Sequence, residues 1–325
     1  MLCDRFSRVI SYLRLSVTDR CNFRCVYCMP AQGIEVAPKS QILSFEEIAR
    51  VAKVGAGLGL RKIRLTGGEP TVRRDLPTLV AMLREVSGIE EIAMTTNAAL
   101  LERLAAPLRE AGLSRLNVSL DSLRRDRVNT IARREIFDDV LRGVEAARRE
   151  GFGLKFNAVI MRGTNDDELC ELAQFAHENG APIRFIEWMP MGEARFDERN
   201  QTVFAGEMRE SLARKFDLTP LSGAPSAPSK GYICRKSGAK IGFITTMSDH
   251  FCDSCNRMRL TAQGELRPCL HQNAHVDLRA LLRGGASDDE LRAAFFEAAD
   301  LKWAGHRMNE VIPLYSSREM VAIGG

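Results

Sequence analysis

Residues 12–28 read YLRLSVTDRCNFRCVYC, a strand-like run that leads directly into three closely spaced cysteines. Within the run, Leu13 and Leu15 alternate with polar residues, and this period of two is typical of a β-strand with one buried face. Further runs of this kind follow along the chain, and amphipathic helix-like segments separate them. The alternation predicts repeated βα units around a parallel sheet.

The predicted sheet carries polar residues on one of its faces. Its strands are Tyr12 to Val17, Lys62 to Thr66, Glu91 to Thr95, Arg115 to Leu120, Leu154 to Ile160 and Ile183 to Trp188. Helices are predicted near 44–59, 75–87, 100–111, 135–150, 166–178 and 202–216. Complete eight-stranded barrels fill their axis with branched apolar side chains, so a polar inner face favours an open barrel whose lumen is the binding site. The sixth strand does not sort cleanly, because Phe185 and Glu187 share a face.

The last third of the chain has a different pattern. Residues 220–229 are rich in proline and serine and predict a linker or an extended loop. Beyond it we predict a hairpin near 232–245, two short strands around 261–264 and helices after 277. The expected fold class is α/β, an incomplete (βα)6 TIM-type barrel over residues 1–219. A C-terminal α+β extension, residues 220–325, is expected to carry the second site and to close the lumen.

Composition excludes several classes of protein. The chain has 325 residues, 45% hydrophobic and 27% charged, which is unlike disordered or disulfide-dense chains. No apolar run approaches the ~18 residues that span a bilayer, and the first residues form no signal peptide, so we expect a cytoplasmic protein without a membrane partner. The net charge of +4 suits a small anionic ligand and is too weak to indicate nucleic acid.

Three cysteines follow the first strand with the spacing Cys-x3-Cys-x2-Cys: Cys21, Cys25 and Cys28. They are predicted at the carboxyl end of a barrel strand, where barrel active sites are built. A closed zinc site needs four ligands, and the nearest histidine in the sequence is His177. An iron–sulfur cubane on three thiolates leaves one iron open to a small molecule, which favours a cluster. A zinc knot or three unrelated thiols are the alternatives.

A second set of three cysteines has the spacing Cys-x2-Cys-x13-Cys: Cys252, Cys255 and Cys269. The total of nine cysteines is odd, and in a chain of this length it favours metal ligation or catalysis over a disulfide framework. Zinc is a stronger alternative here than at the first set, because a nearby histidine could complete a tetrahedral site. The candidate histidines are His250, His271 and His275.

Several motifs together resemble a known family. The first cysteine set, with Tyr27 before its last member, is similar to the signature of the radical S-adenosylmethionine (SAM) superfamily, and Gly67-Gly68-Glu69 resembles that superfamily's motif for the SAM amino group. The resemblance extends over nearly the whole chain to the GTP 3′,8-cyclase family of molybdenum cofactor biosynthesis. The other matching runs are 13–20, 115–122, 184–190, the second cysteine set, 256–261 and Gly324-Gly325.

The resemblance implies two [4Fe–4S] clusters in one lumen. The first, on Cys21, Cys25 and Cys28, would bind and cleave SAM. The second, on Cys252, Cys255 and Cys269, would hold the guanine end of GTP. The pocket for SAM would be lined by Tyr27, Gly68, Ser119 and Met189. The GTP contacts implied are Arg14, Arg64, Thr95, Lys155, Arg257, Met258 and Arg259. Guanidinium groups suit this ligand, since they bind phosphate oxygens bidentately.

The implied activity is conversion of GTP to (8S)-3′,8-cyclo-7,8-dihydroguanosine 5′-triphosphate. A one-electron donor such as flavodoxin or ferredoxin would reduce the first cluster, and SAM would split into methionine and a 5′-deoxyadenosyl radical. That radical would take the hydrogen from C3′ of GTP, C3′ would then attack C8, and a second reduction would give the product. The catalytic residues implied are Arg257, Arg259, Gly324 and Gly325. The product would pass to cyclic pyranopterin monophosphate synthase, and a homodimer is an allowed assembly.

Two other functions fit parts of the sequence. One is a peptide-modifying maturase of the same superfamily, which the paired arginines after Cys255 and the double-glycine terminus argue against. The other is a zinc-stapled RNA-binding module, which the small net charge and an aromatic content of 6% argue against.

Two positions depart from the family pattern. Ala98 and Ala132 stand where glycine is usual. Because alanine does not readily adopt a positive φ, we expect both turns to be rebuilt.

Overall fold

The computed structural model describes residues 1–189, 191, 201–224, 226–306 and 319–324. Parallel strands follow one another across the sheet in chain order from the first to the sixth. They are β1 (Tyr12–Ser16), β2 (Lys62–Thr66), β3 (Glu91–Thr96), β4 (Arg115–Ser119), β5 (Gly153–Ile160) and β6 (Ile183–Glu187). Each strand lies where the sequence predicts it, because the alternation of apolar and polar residues marks its buried face.

Helices connect these strands. They are α1 (Phe45–Leu58), α2 (Leu76–Arg84), α3 (Leu101–Glu110), α4 (Arg125–Ala132), α5 (Phe137–Arg149), α6 (Leu169–Glu178) and α7 (Ala205–Ala213). Ser44 begins α1 with a capping box, in which its hydroxyl accepts from the Glu47 N–H and the Glu47 carboxylate accepts from the Ser44 N–H. The sequence did not predict α4, which is short and rich in charge, so its apolar periodicity is weak.

The C-terminal part adds strands to both edges of this sheet. Beside β6 lie β9 (Lys240–Ile244), β8 (Lys230–Cys234) and β7 (Leu218–Leu221), and beside β1 lie β10 (Arg257–Leu260), β11 (Glu265–Arg267) and β12 (Val276–Asp277). Because β9 runs parallel to β6 and β10 parallel to β1, the parallel part of the sheet continues on both sides. The segment 245–256 joins β9 to β10 and therefore links the two sides. Two helices follow, α8 (Leu278–Arg283) and α9 (Asp288–Asp300), and α9 packs against α1.

The predicted fold class is confirmed, since βα units build an open, mostly parallel sheet that the C-terminal strands extend. The linker or extended loop predicted over residues 220–229 is wrong at its start, because Pro220 and Leu221 belong to β7, which pairs with β8. Proline is tolerated there because β7 is the edge strand of the sheet. The division of the chain at 219/220 stays a prediction. Among the described helices, none has the length and apolar character needed to cross a bilayer.

Strand β6 explains why its sequence pattern was ambiguous. Phe185 and Glu187 are both buried, with exposures of 0% and 1%. The Glu187 carboxylate accepts hydrogen bonds from the N–H groups of Ala205 and Ser248, each at 2.9 Å. These bonds compensate the burial of a charge on the side of Phe185, which belongs to the hydrophobic core. Because side chains alternate along a strand, Arg184 lies on the opposite face of β6, which faces the lumen.

The two departures from the family pattern have different outcomes. Ala98 adopts a φ of +67°, so the alanine occupies the left-handed region and the turn is not rebuilt. Helix α5 packs directly on this turn, since a Cβ at Gly143 would lie 1.9 Å from the Ala98 carbonyl oxygen. Ala132 ends α4, and the positive φ of +50° falls on Arg133 instead.

Replacing Ala98 by glycine is expected to raise the free energy of unfolding by about 1 kcal/mol, because an L-residue in the left-handed region costs roughly 1–2 kcal/mol and glycine avoids it. The control is Ala132→Gly in the last turn of α4, which is expected to lower that free energy. Denaturant unfolding of both variants is the measurement. Equal destabilisation by both substitutions would contradict the assignment of strain to Ala98.

Candidate active site

The register of the strands builds a row of basic side chains on the inner face of the sheet. Arg14 of β1 pairs with Arg64 of β2 on one side and with Arg259 of β10 on the other. Paired residues of neighbouring strands point to the same face, so these guanidinium groups share the lumen. The next strands add Thr95, which pairs with Asn117, and Lys155, which pairs with Asn117 from the other side.

Burial and mutual repulsion lower the pKa values of this basic group. Burial is the largest cause for Arg14 and for Arg184, and with the charge of Arg64 it lowers the pKa of each to about 10. The pKa of Lys155 falls to about 8, through burial and then through Arg184. The pKa of Arg259 is also well below its usual value, chiefly because of burial. A lumen in which cations repel one another suits a ligand with several negative charges.

Several polar atoms of the lumen are buried without a hydrogen-bond partner among the described residues. Arg64, at 7% exposure, donates from Nε to the Tyr12 hydroxyl, and its Nη1 is one of these atoms. Asn117 Oδ1, Asn157 Oδ1 and Arg257 Nη2 are others. Buried polar groups are nearly always paired in native proteins, so a set of unpaired ones facing a lumen indicates a bound polar ligand.

Met258 is the predicted GTP contact that the structure does not bring into this group. Its side chain is fully buried in the hydrophobic core, on the face where it pairs with Leu13. The reason is alternation along β10, which points Arg257 and Arg259 inward and the residue between them outward.

The first cysteine triad lies in a loop held by α4. The N–H groups of Arg24 and Val26 donate to carbonyl groups at the end of α4, at 2.9 and 3.0 Å. Burial is the largest cause that raises the pKa of the Cys21 thiol to about 11 and that of Cys28 to about 12; it also raises the pKa of Cys25. Thiolates in such surroundings need a cation beside them, and iron supplies that charge when it coordinates.

Tyr27 and Ser119 meet the first triad in one cavity, which Cys25 also lines. The Tyr27 hydroxyl donates to Asp121 at 2.7 Å, and the other carboxylate oxygen of Asp121 accepts from the Val159 N–H at 2.8 Å. Burial raises the pKa of Asp121 to about 6 despite these bonds. Asp121 was not among the predicted site residues, although it continues the alternation of Asn117 and Ser119 on the polar face of β4.

The glycines after β2 are required by close packing. A Cβ at Gly68 would lie 2.3 Å from the Arg20 carbonyl oxygen, so a side chain there would displace the cysteine-bearing loop. The neighbouring Glu69 is 2% exposed, and its carboxylate accepts from the Thr96 hydroxyl at 2.7 Å and the Asn97 N–H at 2.8 Å. Glu69 therefore fixes the end of β3 beside the triad.

Residues 319–324 lie against the lumen. The Gly324 carbonyl accepts a hydrogen bond from Arg259, and a Cβ at Gly324 would lie 2.9 Å from the Ser16 Cβ. Met189 packs in an apolar cluster with Ile323 and does not line the cavity of Tyr27. The predicted catalytic residue Gly325 lies outside the described residues, as do Pro190 and residues 192–200.

The second triad lies at the opposite end of the strands from the first. Cys28 follows the carboxyl end of β1, whereas Cys255 precedes the amino end of β10, which runs parallel to β1. Strand β11 is antiparallel to β10, with Arg267 opposite Arg259, so the chain returns to this end before Cys269. The basic lumen is therefore flanked by one triad at each end.

Charged and aromatic groups surround the second triad. Burial acts to raise the pKa of Cys255, but Lys302, Arg257 and hydrogen bonds outweigh it and lower that pKa to about 7. The His271 ring lies 5.4 Å from the His306 ring, and burial, His306 and Arg259 lower the pKa of His271 to about 3. Among the described residues, no three His, Cys, Asp or Glu side chains form a group that could hold a single metal ion.

The chemistry of the donor set tests whether clusters fit. Each end of the lumen offers three thiols, and thiolates are the ligands of iron–sulfur clusters. Four neighbours of the site were not predicted from the sequence: Arg184, Tyr12, Asp121 and Lys302. Arg184 could have been found, because it alternates with Phe185, but the position of Glu187 obscured the pattern.

Comparisons with known proteins match two families, one after the other along the chain. Residues 15–176 match the family described as "Radical SAM superfamily", and residues 181–308 match "Molybdenum Cofactor Synthesis C". The chain is 46% identical to the GTP 3′,8-cyclase of Moorella thermoacetica, over 99% of both chains. It is 44% identical to the GTP 3′,8-cyclase of Hydrogenovibrio crunogenus, over 100% of this chain and 99% of that one.

Solved structures share the fold at low sequence identity. SuiB of Streptococcus suis bound to S-adenosylmethionine superimposes with a TM-score of 0.61 at 15% identity, over 89% of this chain and 68% of that one. The complex of SuiB with its precursor peptide SuiA gives a TM-score of 0.65 at 14% identity, over 97% of this chain and 76% of that one. At these identities the likeness concerns the fold.

Proposed function

Since the chain belongs to the GTP 3′,8-cyclase family of the radical SAM superfamily, we propose that it converts GTP to (8S)-3′,8-cyclo-7,8-dihydroguanosine 5′-triphosphate. This reaction begins the biosynthesis of the molybdenum cofactor. The observation that supports it most directly is a buried, basic lumen flanked at each end by three cysteines. A triphosphate fits the charge of that lumen.

Two [4Fe–4S] clusters and SAM are the cofactors of this activity. The residues that would hold the first cluster are Cys21, Cys25 and Cys28, and those for the second are Cys252, Cys255 and Cys269. When bound, the first cluster supplies the electron that cleaves SAM to methionine and a 5′-deoxyadenosyl radical. The chain itself contributes position, charge and exclusion of water.

The lumen would orient GTP through its guanidinium groups. Arg14, Arg64 and Arg259 form one row across β2, β1 and β10, and each can bind phosphate oxygens through two N–H groups. Holding the C3′ of the ribose near the adenosyl carbon makes hydrogen transfer an effectively unimolecular step. By enclosing that contact, the lumen would exclude water and other hydrogen donors.

The proposal also includes an electron donor, an enzyme that receives the product, an assembly and a location in the cell. Cleavage of SAM consumes one electron, and the cyclised purine radical takes up a second electron with a proton. A donor such as flavodoxin or ferredoxin would supply both electrons. The product would pass to cyclic pyranopterin monophosphate synthase, and a homodimer is the proposed assembly. Thiol-ligated iron survives best in a reducing compartment, which supports the cytoplasm as the location.

Nucleotide-dependent SAM cleavage tests the proposed function. Anaerobic protein with both clusters, SAM and a strong reductant is expected to form 5′-deoxyadenosine when GTP is added. The nucleotide product should have the mass of GTP, because the hydrogen lost from C3′ is balanced by one gained on the purine. ATP in place of GTP is the control. Cleavage of SAM at the same rate with and without GTP would contradict the proposal.

The lowered pKa of Lys155 predicts how the affinity for GTP depends on pH. Its pKa of about 8 means that the free protein loses this positive charge as the pH rises through 8. GTP affinity should therefore fall between pH 7 and pH 9, and binding should take up a proton near pH 8. Lys155→Met should bind more weakly at pH 7 and lose that pH dependence. Titration of both proteins by calorimetry in buffers of different ionisation enthalpy measures it, and an unchanged pH profile in the variant would contradict the prediction.

A further inference from the structure

Lys302 is a buried cation between two segments that carry second-triad cysteines. It lies just after α9 and is 3% exposed. Its Nζ donates to the Arg257 carbonyl at 2.8 Å and to the Pro268 carbonyl at 2.6 Å. The first carbonyl is two residues from Cys255, and the second belongs to the residue before Cys269. One ammonium group therefore ties together the backbone beside two of the three thiols.

Arg8 does the same for the remaining thiol. It is 7% exposed, and its Nη1 donates to the Cys252 carbonyl and to the Ala304 carbonyl, each at 2.8 Å. Its Nη2 donates to the Trp303 carbonyl at 2.6 Å, and its Nε is fixed by Asp4 at 2.6 Å. The segment 302–304 is thus shared, because it carries Lys302 and accepts hydrogen bonds from Arg8.

The two cations are costly where they lie. Burying an ammonium or guanidinium group costs several kcal/mol unless other interactions compensate it. Carbonyl groups accept from two of the three donors of Lys302, but they do not neutralise its charge. Arg8 has a buried counter-ion in Asp4, at 2.6 Å. For Lys302, the negative charge of a cluster held by three thiolates beside the same segment would offset the cost of burial.

We infer that Lys302 and Arg8 are positioning residues for the second cluster, which together fix the backbone beside all three cysteines, and that Lys302 also stabilises the negative charge of the site. This inference rests on the proposed function, because it takes the second triad to hold a cluster. Residues that hold metal ligands in place change metal affinity without touching the metal. Loss of either cation should therefore weaken the second cluster and leave the first unchanged.

A matched pair of variants separates charge from shape. Lys302→Met keeps the aliphatic stem and removes the charge, whereas Lys302→Arg keeps the charge and alters the shape. Arg8→Met tests the second cation. Lys236→Met removes an exposed lysine from the turn between β8 and β9 and serves as the control.

The first measurement is the rate at which each protein releases iron to a chelator under anaerobic conditions. Paramagnetic resonance of the reduced protein then distinguishes the two clusters. Signals that respond to SAM report the first cluster, and signals that respond to GTP report the second. In Lys302→Met and Arg8→Met we expect the second cluster to be lost about tenfold faster or more, as for other positioning residues of metal sites. The first cluster should be released as in wild type, and Lys302→Arg should retain more of the second cluster than Lys302→Met.

Three outcomes would overturn the inference. They are a second cluster held as firmly in Lys302→Met as in the Lys236→Met control, equal loss of both clusters, and a Lys302→Arg variant no better than Lys302→Met. The last two would indicate a general or steric role. A wild-type protein that assembles a cluster at the first triad and none at the second would instead contradict the proposed function.

Discussion

Replacement of Cys25 by alanine is expected to abolish SAM cleavage. The triad offers three thiols, and the open iron exists because three ligands hold the other corners of the cubane. With two ligands left, the first cluster is not retained, so the iron content should fall toward half. The second triad lies at the other end of the lumen and should keep its cluster. Formation of 5′-deoxyadenosine, measured chromatographically with GTP and reductant present, should drop below detection.

Cys170→Ala is the matched control for this substitution. Cys170 is a partly buried thiol on α6 and belongs to neither triad. That variant should retain both clusters and full SAM cleavage. Persistent cleavage in Cys25→Ala, at a tenth of the wild-type rate or more, would show that the chemistry does not start at the first triad.

The repeating part of the fold could be predicted because it is local. An alternation such as that of Leu13 and Leu15 marks a strand and its buried face, and the parallel sheet follows from the helices between strands. Arg14 lies between these leucines and Arg64 lies between Ile63 and Leu65, so the same pattern directs both arginines to the opposite, polar face. Their neighbour Arg259 could not be placed by it, because the pairing of β10 with β1 joins residues far apart in sequence.

The parts that could not be predicted depend on such long-range contacts. Lys302 is an ordinary lysine after a helix, and its burial beside the second triad arises from the return of the chain to β10. The sequence pattern of β6 was ambiguous at Glu187. The residues that donate hydrogen bonds to its carboxylate, Ala205 and Ser248, lie far along the chain. Periodicity describes one element at a time, so it misses a polar group that a distant segment satisfies.

Arg64→Met is expected to weaken GTP binding strongly. The Arg64 side chain is buried, Tyr12 holds its Nε, and its Nη1 is buried without a hydrogen-bond partner among the described residues. A hydrogen bond to a charged group contributes about 1.5–3 kcal/mol, which corresponds to roughly a tenfold to 150-fold loss of affinity. Methionine keeps part of the apolar stem and removes the charge, so the core beneath it is preserved. Equilibrium dialysis of GTP against anaerobic protein measures the affinity.

The same variant should also separate the two halves of the reaction. Arg64 belongs to the row of arginines that would hold GTP, so SAM should still be cleaved slowly while little cyclised nucleotide forms. The ratio of cyclised nucleotide to 5′-deoxyadenosine should therefore fall well below that of wild type. Arg74→Met is the control, since Arg74 is an exposed arginine shortly after the same strand. If both variants bind GTP equally well, the basic lumen is not the nucleotide site, because a buried donor without a hydrogen-bond partner among the described residues would then contribute nothing to binding.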